Sequence, residues 1–401
     1  MASMYRTNPT FENYWTECLG DLAAYRMYIE ADDPELRNEW KSGSRQWYLK
    51  ASDKAPTTGR LYHHLAILAR PNALQQLFYY AKSLCVPIPF LSSRESMMKF
   101  FDQHLNGTRM QEIHVAFVRV HAVLFTGKSS DLFAPSVSEF INNLNGHIAI
   151  IKSTGPDSDD TKRWRENSYY IAIALGCAML EYGSESNVLM RAIKSSRTEE
   201  AEAAKKKAKE DADWQMVDPI PNQKFLDALD FAVRTHNVVF RRSADSNVDP
   251  YLHVTLSFLY QMSHFATAIG YIESKMPWKL ISSMLNSFLK ERTSVDRIEL
   301  EDFPRSNDES PRPLPEDFAQ RGLLWVDKYY PDDWFTSKPD DDEKYFEVAS
   351  MTEERQERCL WLGCRIASSG NWLTYDKSTR QFGVAPQYDL EIPGNSNGSK
   401  A

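Results

Sequence analysis

Residues 57–90, TTGRLYHHLAILARPNALQQLFYYAKSLCVPIPF, decide the fold. Leu61, Leu65, Leu68 and Ala69 fall at the three-and-four spacing of one apolar helix face. Gly59 stands at the start of this helix. Pro71 limits it, because the residue before a proline is pushed out of helical geometry. Leu74, Leu77, Phe78, Ala81 and Leu84 repeat the spacing until Pro87 and Pro89 stop a second helix. Ala66, Ala69, Ala73 and Ala81 are small enough to let the two helices approach closely. The stretch predicts a helical hairpin joined at Arg70-Pro71, one unit of a stack.

Working outward, Trp47-Tyr48 and Phe78-Tyr79 lie 31 residues apart, as do Pro56 and Pro87. This is near the roughly 34-residue period of tetratricopeptide repeats. Upstream, Phe11 to Ile29 reads as a helix with Trp15, Leu19, Leu22 and Tyr25 or Tyr28 on its apolar face. Glu35 to Lys50 is its antiparallel partner, with Leu36, Trp40, Trp47 and Tyr48 turned inward. Downstream, helices are expected from Ser92/Ser93 through Leu105, over Gln111 to Phe125 and over Asp131 to Ile151. Trp164 to Tyr182 is apolar almost all round from Tyr169 onward, which predicts a central buried helix stopped at Gly183. Residues 193–213 are nearly free of large apolar side chains and read as a solvated helix or loop. Helices resume over Phe225 to Phe240, Tyr251 to Ile272, Trp278 to Leu289, Phe318 to Tyr329 and Glu353 to Ser368. Glu291 to Pro315 and Pro331 to Glu347 read as loops, and Trp372 to Tyr375 with Gln381 to Val384 as a short hairpin. The fold expected is all-α.

The chain has 401 residues, 42% of them hydrophobic, enough for a large core in two subdomains or one long solenoid. Its 47 Lys and Arg against 55 Asp and Glu give a net charge of -8, which argues against tight nonspecific binding to a phosphate backbone. Five cysteines without a CxxC pair read as reduced, buried thiols. No signal peptide is read at the N-terminus, and no apolar run approaches the roughly 18 residues of a membrane helix. The His63-His64 pair projects about 100° apart on a helix and is not placed to chelate one metal. His114 and His121 share a helix face but lack the carboxylate of a HExxH site, and there is no GxGxxG, P-loop or GxSxG. The acidic run Asp340 to Glu343 reads as a solvated loop. The expectation is a chain that is not an enzyme and needs no cofactor or metal.

Leu65-Ala66-Ile67-Leu68-Ala69, Phe78-Tyr79-Tyr80, Leu19-Gly20-Asp21 and Tyr25-Arg26 resemble the Est-one/SMG family of telomerase regulatory subunits and nonsense-mediated mRNA decay adaptors. Phe117 to Phe125, Trp164 to Tyr182, Pro315 to Trp325 and Leu360 to Tyr375 are similar to its filamentous-fungal branch, described as an Est-one-type DNA/RNA-binding domain. The resemblance implies a tetratricopeptide/14-3-3-like helical repeat followed by a helical-hairpin solenoid. The divisions expected are 1–183, a charged linker 184–220, 221–385 and a flexible tail 386–401. The family's first N-terminal helices and its PIN nuclease domain are expected to be absent. The resemblance also implies a noncatalytic adaptor of nucleus and cytoplasm that docks protein partners of RNA decay or telomerase, a phosphorylated RNA helicase among them.

In the 14-3-3 comparison a peptide groove would use Tyr25, Arg26 and His63. The family motif Gly-Asp-x-Ala-Arg-Tyr-Arg appears here as Gly20-Asp21-Leu22-Ala23-Ala24-Tyr25-Arg26. Ala24 thus replaces the arginine that grips phosphate, which removes that phosphate reader. The alternative is direct binding of single-stranded RNA or DNA. Its candidates are Lys162, Arg163 and Arg165 around Trp164, and Arg241 with Arg242; both clusters also fit ordinary helix-end charge.

Overall fold

The computed structural model describes residues 12–30, 32–106, 113–194, 220–243, 245–290, 292, 294–305, 312–336, 344, 347–348 and 350–389. The lysine-rich run 205–209, the acidic run 340–343 and most of the expected tail lie outside them. The helices are α1 (Glu12–Ile29), α2 (Pro34–Lys54), α3 (Gly59–Leu68), α4 (Ala73–Leu84), α5 (Ser93–Asn106), α6 (Ile113–Thr126), α7 (Phe133–Ser153) and α8 (Asp159–Met179). They continue as α9 (Gln223–Val239), α10 (Asp249–Ser263), α11 (Ala266–Gly270), α12 (Trp278–Leu289), α13 (Asp296–Glu299), α14 (Pro315–Gln320) and α15 (Ser350–Ser369). A hairpin of β1 (Leu373–Asp376) and β2 (Gln381–Val384), with Leu373 opposite Val384, closes the described chain. The molecule is all-α, as the periodicity predicts, and α1/α2, α3/α4 and α6/α7 pack as antiparallel neighbours.

The α3–α4 hairpin forms where the sequence places it. Leu61, Leu65, Leu68, Leu74, Leu77, Phe78, Ala81 and Leu84 are all buried. Asn72 caps α4 by accepting from the Gln75 N–H at 3.0 Å. The outer ends are tied together by Gly59 N–H to Ile88 O and Phe90 N–H to Ser83 O, at 2.9 and 3.0 Å. A Cβ on Gly59 would stand 2.2 Å from Ser83 O, so only glycine allows this closure. Helix α8 lies at the centre, against α4, α9, α10 and α14. It begins five residues before the expected start, because Ser158 caps it through the Thr161 N–H and two aspartates fill its first turn.

Three expectations need correction. The aromatic stripe of α1 faces out: Leu22, Tyr25 and Tyr28 are 48%, 68% and 58% exposed, and Trp40 on α2 is 37% exposed. The buried stripe is instead Thr16, Gly20, Ala23 and Met27, and its small members let the Tyr48 ring press against Gly20. The helix expected over Phe318 to Tyr329 is broken. Gly322 adopts φ +86° to accommodate the Pro56 carbonyl, so α14 ends at Gln320 and only a 3-10 turn, Leu324–Val326, follows. Tyr251 to Ile272 is likewise two helices, split after Ser263.

A buried ionic lattice locks α10, α14 and α15 together. Arg355 donates to Glu316 at 2.6 and 3.1 Å and to Glu347 at 2.9 Å, and His253 contacts Glu316 at 2.9 Å. Asp317 accepts from the Leu314 N–H, the Tyr330 hydroxyl and Trp334 Nε1. Burial alone would raise the Glu316 carboxyl, but Arg355 and His253 hold it far below the usual range. Both carboxylates are fully enclosed, so their role is to join helices.

Candidate groove for partner docking

A groove of about 1250 Å³ opens where the N-terminus of α4 meets α5, α6, α7 and α8. Helix α7 is amphipathic. Val137, Phe140, Leu144 and Ile148 enter the core, and Glu139, Asn142, Asn143, Gly146, His147 and Ile150 on the other faces line the groove. Gln103 and Asn167 add two more carboxamides from α5 and α8. The groove's arginines are already neutralised: Arg119 lies 3.4 Å from Glu139 and Arg163 3.8 Å from Asp160.

The imidazoles of His114 and His147 are neutral hydrogen-bonding groups. Asn167 Nδ2 donates to His114 Nε2 at 3.2 Å, which leaves the ring proton on Nδ1. Burial, with His147 adding repulsion, pushes His114 down to about 4. Burial lowers His147 as well, opposed by Asp160. His104 Nδ1 donates to the Phe100 carbonyl at 2.9 Å. Among the described residues, His114 Nδ1 and the Trp164 indole N–H have no partner. A lining of carboxamides and neutral imidazoles offers donors and acceptors without net charge, and a polypeptide backbone presents the complementary groups.

The residues expected to grip a peptide lie elsewhere. Tyr25 is exposed, Arg26 pairs with Glu30 at 2.5 Å, and neither lines the groove. His63 bonds Ser93 Oγ at 2.9 Å and packs on Phe90 and Tyr80; burial, then His64, push it down to about 4. On the same helix as Ala24, Glu17 pairs with Arg60 at 2.8 Å and Asp21 accepts from the Tyr48 hydroxyl at 2.5 Å. Of the expected nucleic-acid contacts, Arg165 is drawn into the buried lattice by Glu347 at 3.3 Å and by Asn247 at 3.2 Å. Arg242 is held by Asp245 and Asn145. Lys162, Arg163 and Arg241 are exposed, and Trp164 is a core residue.

No group of three His, Cys, Asp or Glu among the described residues is placed to hold a metal ion. All five cysteines are free thiols, and four are buried. No helix among the described residues is long and apolar enough to cross a membrane. The carboxamides of the groove escaped the sequence reading because Asn142, Asn143, Gly146 and His147 look like the ordinary solvent face of a helix.

Residues 44–329 match the family model of the Est1 DNA/RNA binding domain. The telomerase-binding protein EST1A of Danio rerio is 40% identical over 88 residues, 21% of this chain and 5% of that protein. The nonsense-mediated mRNA decay factor SMG7 of Arabidopsis thaliana is 34% identical over 89 residues, 21% of this chain and 8% of that protein. SMG7 of Danio rerio is 27% identical over 122 residues, 28% of this chain and 9% of its own length. The matched stretches thus cover less than a tenth of these curated relatives.

Proposed function

The chain belongs to the Est1 DNA/RNA binding domain family, and from that premise we propose that it is a noncatalytic helical adaptor. It docks extended segments of proteins of nonsense-mediated mRNA decay or telomerase in the groove between α4 and α8, in nucleus and cytoplasm. The observation that carries this reading is the groove itself, with five carboxamides and the neutral imidazoles of His114 and His147 along its walls. Alanine at position 24, with Arg60 nearby already paired to Glu17, supports docking that does not depend on phosphate at that position. The test is affinity co-purification with mass spectrometry. Enrichment of decay or telomerase components over a tag-only control is expected, and retention of none contradicts the reading.

The second reading is single-stranded RNA or DNA binding, favoured by the description of the matching family. With Arg165 and Arg242 engaged internally and Arg163 beside Asp160, it would rest chiefly on the exposed Lys162 and on Arg163 and Arg241 exchanging their present contacts for phosphate. It requires binding that weakens steeply with salt, and absence of binding at low salt removes it.

A further inference from the structure

A second concavity, of about 240 Å³, lies between the α1–α2 turn and the α3–α4 turn. Arg37 and Lys41, one helical turn apart on α2, and Arg70, just beyond α3, bring three cations to it over Met27, Ile67 and Leu68. No carboxylate lines it. Among the described residues, none pairs with any of the three. Elsewhere the arginines Arg26, Arg60, Arg119, Arg163 and Arg242 each carry a carboxylate partner. Lys41 Nζ donates to the Arg70 carbonyl at 2.5 Å, which holds the ammonium at the pocket, and Arg70 is tied to the Tyr80 hydroxyl. Burial, then Arg37 and Arg45, press the Lys41 ammonium below its usual range. Arg37 and Lys41 repel each other, with Arg45 adding to it, and Arg70 lines the same concavity, so a bound anion would relieve uncompensated positive charge there.

We propose that Arg37, Lys41 and Arg70 form an anion site for a single phosphate monoester, supplied by a phosphorylated side chain of a partner or by a free phosphorylated small molecule. An arginine guanidinium and a lysine ammonium suit a phosphate dianion through charge-assisted bonds. The size favours one group: about 240 Å³ falls below the roughly 300–1,000 Å³ of whole-ligand pockets. A polyanionic strand is disfavoured by Glu30, Asp32, Asp33 and Glu35 at the adjoining turn and by the net charge of -8. The site lies away from Ala24, so its chemistry does not depend on the missing arginine there. It shares no residue with the docking groove, and either assignment can fail alone.

The test is calorimetric titration at low salt with inorganic phosphate, a phosphoserine peptide, its unphosphorylated twin and a twelve-nucleotide oligouridylate. It is repeated on Lys41→Met, Arg37→Ala and, as a control, the exposed Lys128→Ala. Phosphate and phosphopeptide are expected to bind and the unphosphorylated twin not to bind. Lys41→Met and Arg37→Ala should weaken binding about tenfold, as loss of one charged contact does, with Lys128→Ala unchanged. Equal affinity for phosphate and phosphopeptide identifies a free phosphate as the source, and tighter phosphopeptide binding a modified partner. Arg37 is exposed, so its variant remains informative if Lys41→Met lowers the melting temperature. Three results overturn the proposal: no phosphate-dependent binding, binding untouched by either substitution, or stronger binding of the oligonucleotide at these residues.

Discussion

Lys82 is 2% exposed, donates to the Ala319 carbonyl at 2.6 Å and lies 4.3 Å from the centre of the Tyr62 ring. Burial, reinforced by Arg321, brings its ammonium from 10.5 down to about 7. Between those values the unfolded chain holds a proton that the folded chain has released, so stability rises with pH across that window. Lys82→Met removes this dependence. We expect the wild type to gain on the variant by up to about 4 kcal/mol between pH 7 and pH 10, read by urea unfolding at several pH values. A difference that stays flat with pH would show that Lys82 keeps its proton when folded. The sequence gives no hint of this: Lys82 sits among Tyr79, Tyr80, Ala81 and Leu84 and looks like one of the few polar positions of an apolar helix. Only the arrival of α14 from more than two hundred residues away seals it.

At the scale of elements, helices with large apolar residues at three-and-four spacing were legible, α3, α4 and α8 above all. Helix α1 misled because its buried stripe is made mostly of small residues, while its aromatic stripe faces out. The break at Gly322 was hidden because its cause, the Pro56 carbonyl, comes from another part of the chain. Gly322→Ala adds a Cβ about 2.0 Å from that oxygen at a left-handed φ. It should destabilise by at least about 2 kcal/mol, measured by thermal unfolding. The lattice of Glu316 and Arg355 was illegible for the same reason, since its members lie 39 residues apart in sequence. Glu316→Ala strands a buried guanidinium and should cost about 3–5 kcal/mol. Pairing it with Arg355→Met should recover part of that loss; a double variant that loses the sum of the two single losses would mean that the pair is not coupled.

At the scale of the molecule, the helical stack itself followed from the hairpin at 57–90, but the groove did not. It is assembled from the outward faces of α5, α6, α7 and α8 around the capped end of α4, and each face alone resembles a solvent-exposed surface. Gly146 offers the direct handle. It lines the groove, and a Cβ added there meets nothing within 4 Å, so a large side chain fills the groove without disturbing the core. Replacing an exposed helix glycine should leave stability unchanged or raise it by about 0.5 kcal/mol. The measurement is co-purification of decay or telomerase components with wild type and Gly146→Trp, alongside their melting curves. Loss of the partners with an undiminished melting temperature is the expected result. Full retention of the partners by a folded Gly146→Trp chain would contradict docking in this groove.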